Sequence, residues 1–130
     1  MKASAWRNRL IGLALTAIVL IALWLMLPQA YDQNLSQIGQ GRPALVFVYD
    51  KNLLASGDQI RQFDRVRPQL EARVHVLIAD TGRPDAQDFM RSYGAESITS
   101  VLISADGREL ARHRGVLRGE DALALVEQHL

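Results

Sequence analysis

The stretch that decides the fold, Tyr93 to Gly115, reads Tyr-Gly-Ala-Glu-Ser-Ile-Thr-Ser-Val-Leu-Ile-Ser-Ala-Asp-Gly-Arg-Glu-Leu-Ala-Arg-His-Arg-Gly. The step from Tyr93 to Gly94 indicates a helix end, because glycine adopts the left-handed conformation that commonly follows a last helical turn. We predict strands over Ile98–Ser104 and Glu109–Arg114, and Asp106-Gly107 between them is a strong hairpin signal. The stretch therefore predicts a helix followed by an antiparallel pair of strands.

Two more strands are predicted upstream of this stretch. Ala44–Tyr49 and Val74–Ala79 are continuous apolar runs rich in β-forming residues, a pattern typical of strands buried on both faces. A helix is predicted between them. Ser56 is a favourable N-cap for it, Gln59 completes a capping box, and Pro68 is expected to kink or end it.

Two further helices complete the pattern, one from about Asp85 to Tyr93 and one from Gly119 to Leu130. The order is strand, helix, strand, helix, strand, strand, helix. The first two strands need a crossover helix and should be parallel, and the hairpin adds an antiparallel pair. The fold class is therefore α/β, with a mixed sheet of about four strands and helices on both faces. A flavodoxin-like doubly wound sheet is the alternative, and the hairpin counts against it.

The Tyr93–Gly115 stretch resembles the second half of the thioredoxin domain, where a Tyr-Gly step leads to an Ile-Pro-Thr loop and then a hairpin. In this chain Ile98-Thr99-Ser100 stands in place of Ile-Pro-Thr. The resemblance covers about Ala44 to Leu130 and is more specific in its C-terminal half. It places Leu53-Leu54-Ala55-Ser56 on the Cys-x-x-Cys motif, give or take a residue.

The redox features that the resemblance implies are missing. The chain contains no cysteine, and thiol–disulfide exchange needs a thiolate at the helix N-terminus and a second thiol. The family's buried acid falls on Phe47, and its loop proline, normally cis, falls on Thr99. We therefore expect Ser97–Ile98–Thr99 to run trans, since a cis bond before a non-proline residue costs ~2.5–4 kcal/mol. The resemblance thus implies a redox-inactive member of the thioredoxin-like fold family.

The candidate partner-binding residues are Asn52, Leu53, Leu54 and Thr99. Two leucines at the tip of a strand either pack inward or form a small contact patch. Thr99 would offer a hydroxyl to the groove in which thioredoxins hold an extended substrate strand. Ser56 is interpreted as a helix cap, with a nucleophile as the less favoured alternative. No residue is assigned a catalytic role.

The remaining candidates do not predict a metal site, a cofactor or a nucleic-acid partner. The three histidines, His75, His113 and His129, are not paired with one another or with a carboxylate at ligand spacing. Asp85 and Asp88 are expected to lie on a solvated helix face. Three of the fifteen Lys and Arg residues precede the apolar run described next, which leaves twelve against fourteen Asp and Glu, with no basic stripe.

An apolar run, Leu10 to Leu27, contains no charge and predicts a transmembrane anchor. Its length of roughly 27 Å as a helix is just enough for a bilayer core. Lys2, Arg7 and Arg9 precede the run, and the next basic residue is Arg42, so the positive-inside bias keeps the N-terminus in the cytoplasm. The alternative is a cleaved signal peptide, whose apolar region is normally shorter, ~7–15 residues.

These features predict four regions: a basic cytoplasmic N-terminus over 1–9, an anchor over 10–27, a linker over 28–42 and a thioredoxin-like domain over 43–130. The expected location is the inner membrane of a Gram-negative bacterium, with the C-terminal domain in the periplasm. The expected function is that of a binding or adaptor module for an unknown envelope protein. The alternatives are an enzyme, with a thiol-independent activity in the groove or a redox role that uses a partner's cysteines, and a holdase-like chaperone.

Overall fold

The computed structural model describes residues 2–27 and 29–130, and the chain divides between Ala30 and Tyr31 into two compact units. The first unit contains one helix, α1, over Lys2–Met26. Its stretch from Ala3 to Met26 is long and apolar enough to cross a membrane, a property that secretory signal sequences and some core helices share. The helix begins before the predicted span and includes Lys2, Arg7 and Arg9.

The second unit is built on a four-stranded mixed sheet with the strand order β2-β1-β3-β4. The central strand β1 pairs in parallel with β2 and antiparallel with β3, and β3 and β4 form the antiparallel hairpin. This arrangement confirms the predicted fold class. In chain order the elements are β1 (Ala44–Tyr49), α2 (Leu54–Glu71), β2 (His75–Asp80), α3 (Pro84–Tyr93), β3 (Thr99–Ile103), β4 (Glu109–Arg114) and α4 (Gly119–His129).

Both faces of the sheet are covered, which explains the continuous apolar sequence of β1. Leu45 and Phe47 point to a cluster that includes residues of α2 and α4, whereas Val46 and Val48 point to a cluster that includes residues of α3. Successive side chains of a strand face opposite sides, so only a strand buried on both sides is apolar at every position. The ring of Phe47 meets that of Phe63 edge-on, with 6.0 Å between ring centroids.

The start of α2 differs from the prediction. The helix begins at Leu54, and Leu53, which has no side-chain acceptor, is the N-cap. Ser56 is instead buried in the first turn and hydrogen-bonds to the backbone of Asp50. The capping box with Gln59 is therefore wrong, because Gln59 is buried and reaches a distant part of the chain.

The predicted ends of α2 and α3 had different outcomes, each for a local reason. Pro68 does not end α2, which continues to Glu71. A proline so near the C-terminus removes only one late hydrogen bond, so the apolar contacts of the helix outweigh its effect. By contrast, Gly94 caps α3 in the left-handed conformation, with a φ of 60°, as predicted.

The segment predicted as a linker packs on the domain from Tyr31 onwards. Tyr31 is 8% exposed, its hydroxyl donates to Asp64 Oδ1 at 2.7 Å, and the guanidinium of Arg67 lies 3.9 Å from its ring centroid. Burial raises the pKa of Tyr31 well above its usual range, and the hydrogen bond to Asp64 adds to this effect. The backbone oxygen of Asp32 accepts from the N–H of Ile78 at 2.9 Å, so the segment also covers part of the β2 edge.

Candidate functional site

The loop between β1 and α2, residues 50–53, forms a tip that is fixed by Asp50. The backbone oxygen of Asp50 accepts from the N–H of Leu53 at 3.0 Å and from Ser56 Oγ at 2.7 Å. Ser56 Oγ in turn accepts from the N–H of Asp50 at 2.9 Å, and the Asp50 carboxylate accepts from the N–H of Asn52 at 3.0 Å. The hydroxyl of Ser56 therefore holds the turn together, a structural role that differs from both a helix cap and a nucleophile.

Both leucines of the tip are exposed. Leu53 is 44% exposed and Leu54 is 92% exposed, and Asn52 beside them is also exposed. This exposure contradicts inward packing of the pair, and contact with a partner stays a prediction. Single exposed leucines are common on protein surfaces, but two adjacent ones on a turn held by hydrogen bonds form a preorganised apolar patch. We call Leu53 and Leu54 the tip patch.

An open groove of ≈ 350 Å³ borders the tip patch. The two leucines form one wall, and Gly57 on the next turn of α2 leaves space because it has no side chain. The rest of the lining is Tyr49, Lys51, Asp58 and Arg61. The groove was not predicted from the sequence. Leu53, Gly57 and Arg61 are spaced four residues apart, and this spacing would have placed them on one face of a helix.

The loop before β3 reaches its position through an unusual backbone conformation. Ile98 has a φ of 59°, which is rare for a β-branched residue and strained, and the peptide bond before Thr99 is trans, as predicted. The N–H of Ile98 donates to the oxygen of Val48 at 3.0 Å, and its oxygen accepts from the N–H of Gly115 at 2.7 Å. Both backbone groups are therefore used inside the domain and do not face a groove.

Thr99 does not fulfil its predicted role at the surface. It is 1% exposed, as the first residue of a strand whose five residues are all buried. Its hydroxyl is therefore not presented to a partner as the domain stands. The sequence showed the substitution of the loop proline but not that both faces of β3 are covered at this end.

Four of the other polar candidates lie close to nearby groups. His75 Nδ1 lies 3.4 Å from Arg42 Nη1, and His129 Nδ1 lies 2.8 Å from the backbone oxygen of Leu125. Asp85 pairs with Arg83 at 3.2 Å, and Asp88 pairs with Arg91. Across residues 2–27 and 29–130, no group of three or more potential metal ligands is found.

Comparison with known structures assigns the fold of this chain to the class of thioredoxin-like folds. An uncharacterised thioredoxin-like protein from Clostridium perfringens superposes with a TM-score of 0.66 at 16% identity, covering 75% of this chain and 78% of that one. A thioredoxin from Thermus thermophilus gives a TM-score of 0.64 at 18% identity, covering 78% and 87%. Thioredoxin-2 of the malaria parasite gives 0.63 at 17% identity, covering 80% and 99%.

These similarities concern the fold, because the identities are low. No protein-family model matches the sequence, and the comparison with curated proteins finds no match. The chain itself has a thioredoxin-like fold without any cysteine. Where the resemblance places the reactive motif, this chain carries the tip patch, and where it places the buried acid, this chain carries the fully buried Phe47.

Proposed function

We propose that this protein is a membrane-anchored binding module whose thioredoxin-like domain faces the periplasm and contacts an envelope protein through the tip patch. The observation that carries the proposal is the exposure of Leu54, 92%, next to Leu53 on a turn fixed by Asp50. Residues that bind partners are often found on loops held by a rigid scaffold, and exposed apolar clusters mark contact surfaces. With no cysteine in the chain, the tip has no thiol chemistry to perform.

The orientation rests on the basic residues in α1. Lys2, Arg7 and Arg9 precede the apolar part of the helix, and no other Lys or Arg occurs before Arg42. The positive-inside bias then favours a cytoplasmic N-terminus and an exported domain.

We expect alkaline phosphatase fused after Leu130 to be active, because this enzyme folds only outside the cytoplasm. The protein should also stay with the membrane after a carbonate wash. A fusion that carries Arg in place of Ile21 and Leu23 is the control, because two charges within the apolar run disfavour insertion. A soluble, shortened periplasmic product would instead indicate a cleaved signal sequence.

We expect aspartate at both positions of the tip patch to abolish partner capture without unfolding the domain. A photoreactive amino acid at Asn52 of the full chain should crosslink a defined protein in the native membrane, and Leu53→Asp with Leu54→Asp should remove that product. The melting temperature should change little, because neither leucine is buried.

The matched control for this capture experiment is Leu130→Asp, because Leu130 is 45% exposed, close to the 44% of Leu53, but lies at the chain end. This variant should capture the same product as the unaltered chain. Capture that survives the double substitution, or unfolding of the double variant, would contradict the proposed contact surface.

A further inference from the structure

The charges around the groove beside the tip patch are unbalanced. Asp58 and Arg61 form an ion pair with each other, and the Asp50 carboxylate accepts from the N–H of Asn52 and lies 3.4 Å from Ser97 Oγ. Lys51, which is exposed, takes part in none of the ion pairs found among residues 2–27 and 29–130. Asp50 is not among the residues that line the groove, where Lys51 and Arg61 are cations and Asp58 is an anion paired with Arg61. Lys51 therefore has no ion-pair partner among these lining residues.

We propose that the occupant of this groove is a protein segment that places a carboxylate on Lys51 and an apolar side chain between the tip patch and Tyr49. This inference rests on the proposed function and adds the chemistry of the partner. The carboxylate balances the charge of Lys51, and the apolar side chain covers the exposed leucines. Gly57 on the groove lining gives this side chain room to approach the helix.

Side chains rather than backbone carry this recognition. The N–H and the oxygen of Ile98 are already bonded to Val48 and Gly115, so the neighbouring loop has no free pair of backbone groups at Ile98 for an added strand. The groove volume of ≈ 350 Å³ also suits one or two side chains, since it lies near the lower end of the ~300–1,000 Å³ range of small-ligand sites.

An anionic bilayer also offers negative charge and apolar groups, but it suits this groove less well than a protein segment. Recognition of anionic lipids typically uses clusters of about four to eight Lys or Arg residues, because each one contributes little. Among residues 2–27 and 29–130, the groove lining offers Lys51, for which no ion pair is found, and Arg61, which is already paired with Asp58. The charge is therefore sufficient to orient a single carboxylate but not to hold a lipid surface.

The test measures peptide binding to the full chain in phosphatidylcholine nanodiscs by fluorescence anisotropy. The probes are blocked peptides Gly-Ser-Leu-Phe-Glu-Leu-Ser-Gly, with Gln or Lys replacing Glu in two matched versions. We expect the Glu peptide to bind up to about fivefold more tightly than the Gln peptide, the upper end for an exposed ion pair. Lys51→Glu should reverse the order, so that the Lys peptide binds best.

Gly57→Leu is the second variant, because it fills the groove without changing its charge. Within the part of the chain that the structure describes, an added Cβ at Gly57 makes an ordinary contact with Arg61 Nη1 at 3.7 Å, so a side chain can leave the helix here without a backbone clash. This variant should keep the melting temperature and lose binding of all three peptides. Retained binding would place the peptides outside the groove.

The lipid alternative is measured with a single fluorophore. Because the chain has no cysteine, Asn52→Cys carries one environment-sensitive dye beside the groove. A blue shift in phosphatidylglycerol discs, absent from phosphatidylcholine discs, would assign the groove to lipid and overturn the inference.

Equal affinities of the Glu and Gln peptides, or no binding of the Glu peptide, would also overturn the inference. If the double aspartate variant still loses partner capture, the proposed contact surface stands and only its charge preference fails.

Discussion

Phe47→Asp is expected to unfold the thioredoxin-like domain. Phe47 is 0% exposed in the central strand and packs edge-on against Phe63. Truncating a buried Phe costs about 3–5 kcal/mol, and burial of a carboxyl group without a partner adds to this cost. The sum approaches or exceeds the total stability of a typical domain, about 5–15 kcal/mol. The position at which the resemblance places a buried acid is therefore part of the apolar core in this chain.

Hydrogen-exchange mass spectrometry of the full chain in detergent micelles measures the unfolding of the domain by Phe47→Asp separately from the behaviour of α1. Tryptophan fluorescence is unsuitable, because both tryptophans, Trp6 and Trp24, lie in α1. Peptides from β1 should lose their protection in Phe47→Asp and keep most of it in the apolar control Phe47→Leu. Protection of β1 that persists in the aspartate variant would contradict the packing of this strand.

Gln59→Leu is expected to destabilise the domain by about 2–6 kcal/mol, although it places an apolar residue in a buried site. Gln59 is 0% exposed. Its Nε2 donates to the backbone oxygen of Leu117 at 2.8 Å, and its Oε1 accepts from the N–H of Leu117 at 2.6 Å. Leucine satisfies neither group, and each unpaired buried polar group costs about 1–3 kcal/mol. This amide therefore fixes the chain that leads into α4 against α2.

Urea unfolding, followed by hydrogen exchange in β1 and α4, measures how much unfolding free energy the domain loses in Gln59→Leu. The control is Gln69→Leu, because Gln69 is exposed on the same helix and its substitution should change stability by less than about 0.5 kcal/mol. Equal unfolding midpoints for the two variants would show that the bond pair to Leu117 contributes little.

The sequence predicted the elements whose signals are local. β1 and β4 have the predicted bounds, and Gly94 ends α3 as its conformational freedom requires. A strand buried on both faces is apolar throughout, and an Asp-Gly step favours a hairpin, so neither conclusion needs knowledge of distant contacts. The resemblance to thioredoxin pointed to the same arrangement of strands and helices.

The errors concern residues whose roles depend on distant partners. Gln59 bonds to a residue 58 positions away, and Tyr31 bonds to one 33 positions away. The local sequence around Gln59 was consistent with a capping box, and the local sequence around Tyr31 was consistent with a polar linker. Hydrogen bonds between residues so far apart in the sequence leave no repeating pattern, so the sequence did not predict them.

For the candidate site, the sequence by itself determined which chemistry is absent and where the tip lies. The lack of cysteine rules out thiol exchange whatever the fold, and the position of the two leucines follows from the end of β1. Only the tertiary structure decided that Leu53 and Leu54 are exposed while Thr99 is buried. Exposure depends on what the rest of the chain covers: the Asp50 turn directs the leucines outward, and the packed sheet encloses Thr99.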